Sequence, residues 1–144
     1  RWPGRLERCP AEPRLWWDGA HNPQGAETLA RLWREQGLPG VAALALAVSA
    51  DKPLEAILEP LARVAPARHL IATRSRSERA MPAERIAAVA GAAGWSVRSA
   101  ADVPAACRLA LEGASPAAPA LLTGSLFAVG EAMEALGGAP GEQL

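Results

Sequence analysis

Short apolar runs alternate along the chain with longer stretches in which apolar residues recur every three or four positions, the pattern of repeated βα units and a parallel sheet. Arg5 to Cys9 and Arg14 to Trp17, separated by Pro10 and Pro13, predict two short strands with a tight connection, the first an antiparallel edge. Pro23 to Gln36 predicts a helix: Asn22 stands at the N-cap, proline occupies the first position, and Ala26, Leu29, Ala30 and Trp33 share one face. Val41 to Val48 is a continuous apolar run, as expected of a strand buried on both faces, and a helix is predicted from Pro53 to Ala65. Arg68 to Thr73 predicts the next strand, Arg74 to Met81 a polar loop, and Pro82 to Ala93 a helix stopped by Gly94. A strand at Trp95 to Arg98, a helix at Val103 to Leu111, a strand at Ala120 to Thr123 and a helix at Phe127 to Leu136 complete the pattern, followed by a frayed tail. The fold class is therefore α/β, a Rossmann-like three-layer sandwich around a mostly parallel sheet with one antiparallel edge strand.

A chain of 144 residues, half of them hydrophobic, can bury one core but is too short for two ordinary domains. Fifteen basic residues balance fifteen acidic ones, so no bulk charge draws the protein to nucleic acid or an anionic membrane, and any phosphate must be gripped locally. No apolar run reaches the length of a spanning helix, and the opening residues lack the features of a signal peptide. Cys9 and Cys107 lie far apart with no metal-binding spacing. These features predict a soluble protein of a reducing cytoplasm. The chain opens on Arg1 rather than Met, as an excised piece of a longer protein would.

In an open parallel sheet, ligands bind beyond the carboxyl ends of the strands, so residues just after each strand are the candidates. Asp18-Gly19-Ala20-His21-Asn22-Pro23 joins two ionisable groups, a flexible glycine and a helix N-terminus at one strand end, where an anion or a ribose could be held. Asp18, Gly19, Asn22 and Pro23 also suit a purely structural turn; His21 does not need to be there for that. Lys52, the sole lysine, closes the loop after the second parallel strand; a surface lysine flanking a helix would look the same. Arg74 and Arg79 bracket a polar loop of the solvated kind. His69 lies within an apolar run and reads as a packed core or edge histidine. Neither cysteine has a base or an elbow motif nearby, so no nucleophile is assigned.

The string Trp17-Asp18-Gly19-Ala20-His21-Asn22-Pro23-Gln24-Gly25-Ala26 resembles the signature of the folylpolyglutamate synthase/dihydrofolate synthase family, within the Mur ligase superfamily. Thr123-Gly124-Ser125-Leu126-Phe127-Ala128-Val129-Gly130-Glu131 resembles that family's closing strand-to-helix motif. Thr73-Arg74 with Arg79-Ala80-Met81-Pro82 resembles its mid-domain loop, and Trp2-Pro3-Gly4-Arg5 its opening segment. The resemblance implies a single C-terminal, glutamate ligase domain over residues 1–144, with five parallel strands and one antiparallel. It implies ATP-driven attachment of L-glutamate to dihydropteroate or to a folate glutamyl tail through an acyl phosphate, a reaction governed by positioning and charge stabilisation. By the same resemblance, Asp18 contacts the nucleotide through ribose hydroxyls, Arg5 reaches the ATP γ-phosphate, and His21 and Ser125 hold the incoming glutamate, with His21 and Arg5 at the reacting centre. Related Mur ligases place a lysine near Lys52, to meet the carboxylate of the incoming amino acid.

No GxxxxGK[ST] loop, the phosphate cradle of many ATPases, occurs in the chain. The resemblance places that loop, the Mg2+ ligands and most of the folate pocket in a preceding ATPase domain that these residues do not include. No metal ligand is assigned here, the lobe alone is expected to be inactive, and the whole protein to be a monomer. Apolar surface is expected near Asp18 and Ser125, where the missing lobe would sit. Two other readings compete: a different Mur-type amino-acid ligase, such as a peptidoglycan-precursor enzyme, and a non-catalytic Rossmann-like binding module. The absence of GxGxxG after the first parallel strand weakens a dinucleotide-binding version of the second.

Overall fold

The computed structural model describes residues 5–137. Among them six strands form one sheet in the order β1-β2-β6-β3-β4-β5. β1 (Glu7–Arg8) runs antiparallel to β2 (Leu15–Trp17), and β3 (Ala43–Leu46), β4 (His69–Ala72), β5 (Ser96–Ser99) and β6 (Ala120–Thr123) extend the sheet in parallel with β2. Between them lie α1 (Pro23–Glu35), α2 (Leu54–Val64), α3 (Ala83–Ala92), α4 (Val103–Leu111) and α5 (Leu126–Leu136).

Two apolar cores separate the three layers. Leu44, Leu46, Leu70, Ala72 and Leu121 pack with α1, α2 and α3 on one face of the sheet. Leu15, Trp17, Ala45, Ile71 and Leu122 alternate with them and pack with α4 and α5 on the other. Side chains of a strand point alternately to opposite faces, so burial on both faces requires the continuous apolar runs seen in the sequence. The predicted face of α1 is the buried one, and the edge-on contact of Trp16 with Trp33, 5.5 Å between ring centroids, ties it to β2.

The elements fall where the periodicity puts them, with β1 to β4 shorter than expected and β5 shifted by one residue. β3 covers half of its apolar run, because Ala47 and Val48 continue into the loop while their backbones bond to Thr123 and Met81. β1 is only two residues long: Leu6 before it adopts a left-handed backbone, φ 41°, and Cys9 after it already turns, donating to the Leu15 carbonyl at 2.8 Å. His69 departs from the sequence reading, for it is exposed at the start of β4 rather than packed. The final seven residues of the predicted tail lie outside the described residues. No helix among the described residues is long and apolar enough to cross a membrane.

The connections create a switch point. The loops after β2 and β3 lead to helices on one face, whereas the loop after β6, between them in the sheet, leads to α5 on the other. A crevice opens at the carboxyl ends of strands where neighbouring connections diverge in this way.

Candidate functional site

That end of the sheet carries a cleft of about 530 Å³, whose lining includes Arg5, Leu6, Asp18, Gly19, Ala20, His21, Gln24, Thr28 and Leu126. Its floor is the turn after β2. Asp18 opens the turn with its backbone N–H on the Leu122 carbonyl, 3.0 Å, which fixes it against β6. Asp18 is 6 % exposed, and its carboxylate accepts two backbone N–H bonds, Oδ1 from Ala20 at 2.7 Å and Oδ2 from Leu6 at 2.9 Å. Burial pushes its carboxyl above the usual aspartate range, against the opposing pull of these two bonds and of the nearby Arg5 guanidinium. Each oxygen keeps a further lone pair for a ligand hydroxyl.

His21 is exposed and lines the cleft, with Nδ1 3.0 Å from the Gly19 carbonyl oxygen. A carbonyl can only accept, so Nδ1 carries a proton in this arrangement and Nε2 is the atom left for a ligand. The turn ends as Asn22 caps α1, its Oδ1 accepting from Gly25 N–H at 2.7 Å. A β-carbon on Gly25 would press within 3.2 Å of Asn22 Oδ1 and 3.3 Å of Ala20 Cβ, so glycine keeps the turn and the first helical turn in contact.

Ser125 stands on the adjacent loop, after β6. It is the N-cap of α5, its Oγ accepting from Ala128 N–H at 3.3 Å, and it is buried just behind the cleft wall formed by Leu126. Gly124 before it has φ 109°, and any β-carbon there would collide with the Ala47 carbonyl oxygen, so only glycine lets this loop lie against the end of β3. Thr123 Oγ1 reaches the Ala20 carbonyl at 3.5 Å, joining the two loops.

The structure thus brings Arg5, Asp18 and His21 around one cleft, with Ser125 beside it. Lys52 is half-buried on the turn after β3, its N–H bonded to the Ser49 carbonyl at 3.1 Å, and does not line the cleft. Arg74 and Arg79 are exposed, away from it. The loop carrying them is fastened on both sides: the Arg79 carbonyl accepts from Ala50 N–H at 2.7 Å, and Glu131 on α5 accepts from Arg76 N–H at 2.7 Å. Cys107 is buried, which pushes its thiol up to about 12 and leaves it inert. Among the lining residues that sequence reasoning missed, three had a partial signal: Gln24 and Thr28 are one helical turn apart on the polar side of α1, and Leu126 follows Ser125 within its motif.

The large hydrophobic residues exposed among the described residues are Leu126 and Phe127, at 58 % and 66 %. Leu126 lines the cleft, and Phe127 follows it in the first turn of α5. No cluster of three or more His, Cys, Asp or Glu side chains suited to a metal ion occurs among the described residues.

The family described as "Mur ligase, glutamate ligase domain" matches residues 4–126. The chain belongs to it. Over 93 residues, or 62 % of its length, this Mur ligase domain is 39 % identical to the dihydrofolate synthase/folylpolyglutamate synthase of Mycobacterium tuberculosis. It also resembles the solved structure of the Mycobacterium tuberculosis folylpolyglutamate synthase complexed with ADP, at TM-score 0.85 and 29 % identity over 97 % of this chain. A bifunctional folylpolyglutamate synthase/dihydrofolate synthase with Mn, AMPPNP and L-glutamate bound has the same fold, at TM-score 0.78 and 25 % identity over 94 % of the chain. The match spans only 18 % of the curated relative, and the superposed domain 33 % of the ADP complex and 32 % of the glutamate complex.

Proposed function

We propose that this domain is the glutamate-binding, C-terminal lobe of an ATP-dependent ligase that joins L-glutamate to a folate, a dihydropteroate, or both. The observation that carries the reading is the convergence of Arg5, Asp18 and His21 on one cleft at the switch point of the sheet. A relative with that activity and a neighbour bound to L-glutamate and a nucleotide analogue support it.

In this reading the carboxylate of the acceptor is first activated as an acyl phosphate by ATP. The amine of glutamate attacks the acyl carbon, and collapse releases phosphate and leaves the amide. The lobe's residues supply position and charge. Asp18 offers its free lone pairs to ribose hydroxyls. Arg5, a planar and permanently charged fork, meets the γ-phosphate. His21 presents Nε2 to the incoming glutamate, Ser125 its hydroxyl proton, and Lys52 approaches a glutamate carboxylate from the neighbouring turn. The cation that accompanies ATP, Mg2+, is held mainly by a preceding ATPase domain. Closing of the two lobes over the cleft completes the site, with Leu126 and Phe127 facing that partner. The whole protein acts as a cytoplasmic monomer.

The test is ATP-dependent incorporation of labelled L-glutamate into dihydropteroate and tetrahydrofolate by the full-length protein. Wild type is expected to incorporate glutamate, and Asp18→Ala and His21→Ala to lose at least 90 % of the rate while still folded, a tenfold effect or about 1.4 kcal/mol. Transfer of a different amino acid to a UDP-linked muramyl acceptor instead would assign the domain to another Mur-type ligase.

A further inference from the structure

Leu6 takes a left-handed backbone, φ 41°, a conformation unusual for a branched side chain, and does so where the chain enters the cleft. Its N–H points to Asp18 Oδ2 at 2.9 Å, in a bond buried from solvent. The other oxygen of the same carboxylate accepts from Ala20 N–H at 2.7 Å, so one side chain clasps both the opening segment and the turn after β2. Arg5, the residue immediately before Leu6, lines the cleft, is exposed, and has no ion-pair partner among the described residues. An unpaired arginine just ahead of a two-residue edge strand would ordinarily sweep a wide volume. Here the backbone that carries it is bent into an uncommon conformation and bonded to a buried acceptor.

We propose that Asp18 is a positioning residue for Arg5: by holding Leu6 in its left-handed bend, the carboxylate aims the Arg5 guanidinium into the cleft. This goes beyond any contact that Asp18 itself makes with a nucleotide, and it rests on the reading that the cleft binds one. An asparagine at position 18 can accept one of the two N–H bonds through its carbonyl oxygen but not both, because its amide nitrogen only donates. The carboxylate is therefore required for the clasp.

The experiment is a double-mutant cycle on the full-length protein, with Asp18→Asn, Arg5→Ala and the double variant, reading kcat and KM for ATP and for 2′-deoxy-ATP. Leu6 amide exchange is followed in parallel by mass spectrometry. Each single variant is expected to lower kcat/KM for ATP about tenfold, and the double to be no worse than the poorer single. Asp18→Asn still lowers kcat/KM for 2′-deoxy-ATP several-fold and speeds exchange at Leu6 about tenfold. Effects that multiply in the double variant overturn the proposal, as does a loss seen with ATP and absent with 2′-deoxy-ATP. Where Asp18→Asn does not fold, Leu6→Pro removes the N–H and forbids the bend while leaving Asp18 intact, and a kcat/KM for ATP equal to wild type overturns the proposal. Failure of the wild type to use ATP overturns the proposed activity instead; the exchange at Leu6 needs no turnover, and unchanged exchange in Asp18→Asn overturns the clasp itself.

Discussion

Asp18 and Glu12 are two carboxylates of opposite electrostatic character. Glu12 sits on the surface turn before β2, where hydrogen bonds from Arg14 hold its carboxyl down at about 2. What it adds to stability is present above its ordinary value and lost as the pH falls through about 2. Asp18 behaves in the reverse sense. Burial raises its carboxyl above the ordinary 3.8, so the native state holds the proton more tightly than the unfolded chain does. Its contribution to stability is complete below the ordinary value and is lost as the pH rises through the raised one. Urea unfolding of wild type and Asp18→Asn, followed from about pH 3 to 7, is expected to show the stability of wild type relative to the variant falling with pH; a difference independent of pH would contradict the assignment.

The helix starts carry a second lesson, because a residue at the site can hold its element together as well as touch a ligand. Ser125 caps α5 and Asn22 caps α1 through their own side chains. Ser125→Ala is therefore expected to cost about 1 kcal/mol of stability through the lost cap alone. Ser125→Asn keeps a good cap and should restore stability to within about 0.5 kcal/mol in thermal unfolding. If the hydroxyl also holds glutamate, KM for glutamate rises in both variants; recovery of KM in Ser125→Asn would reduce the residue to a cap. Asn22 was legible in the sequence as a cap because proline follows it. Ser125 was legible only through its motif, since neither Leu126 nor Phe127 has the periodic apolar signal of a helix start.

Over the whole molecule, the order of strands and helices was readable because parallel strands buried on both faces must be continuously apolar, and the helices between them must carry one apolar stripe. What escaped were features fixed by tertiary contact. The left-handed Leu6 cuts β1 to two residues, and His69 turns outward at a strand start that the apolar run alone does not mark. Within the site, Asp18 and His21 stood out as ionisable groups in a turn, whereas Thr28 and Leu126 acquire a role only when α1 and the loop after β6 meet across the cleft. The same scale sets one more expectation. Leu126→Ser with Phe127→Ser removes apolar surface that the domain does not bury, so the melting temperature should move by no more than about 2 °C. Glutamate incorporation by the full-length protein should nevertheless fall more than tenfold, roughly 1.4 kcal/mol, if this surface is where the lobes meet. Gly124 adds a mechanical consequence. With no room for even a methyl group between its backbone and the Ala47 carbonyl, the turn that carries Ser125 and the end of β3 are interlocked and must drift together, as a single jaw of a vice rather than two fingers.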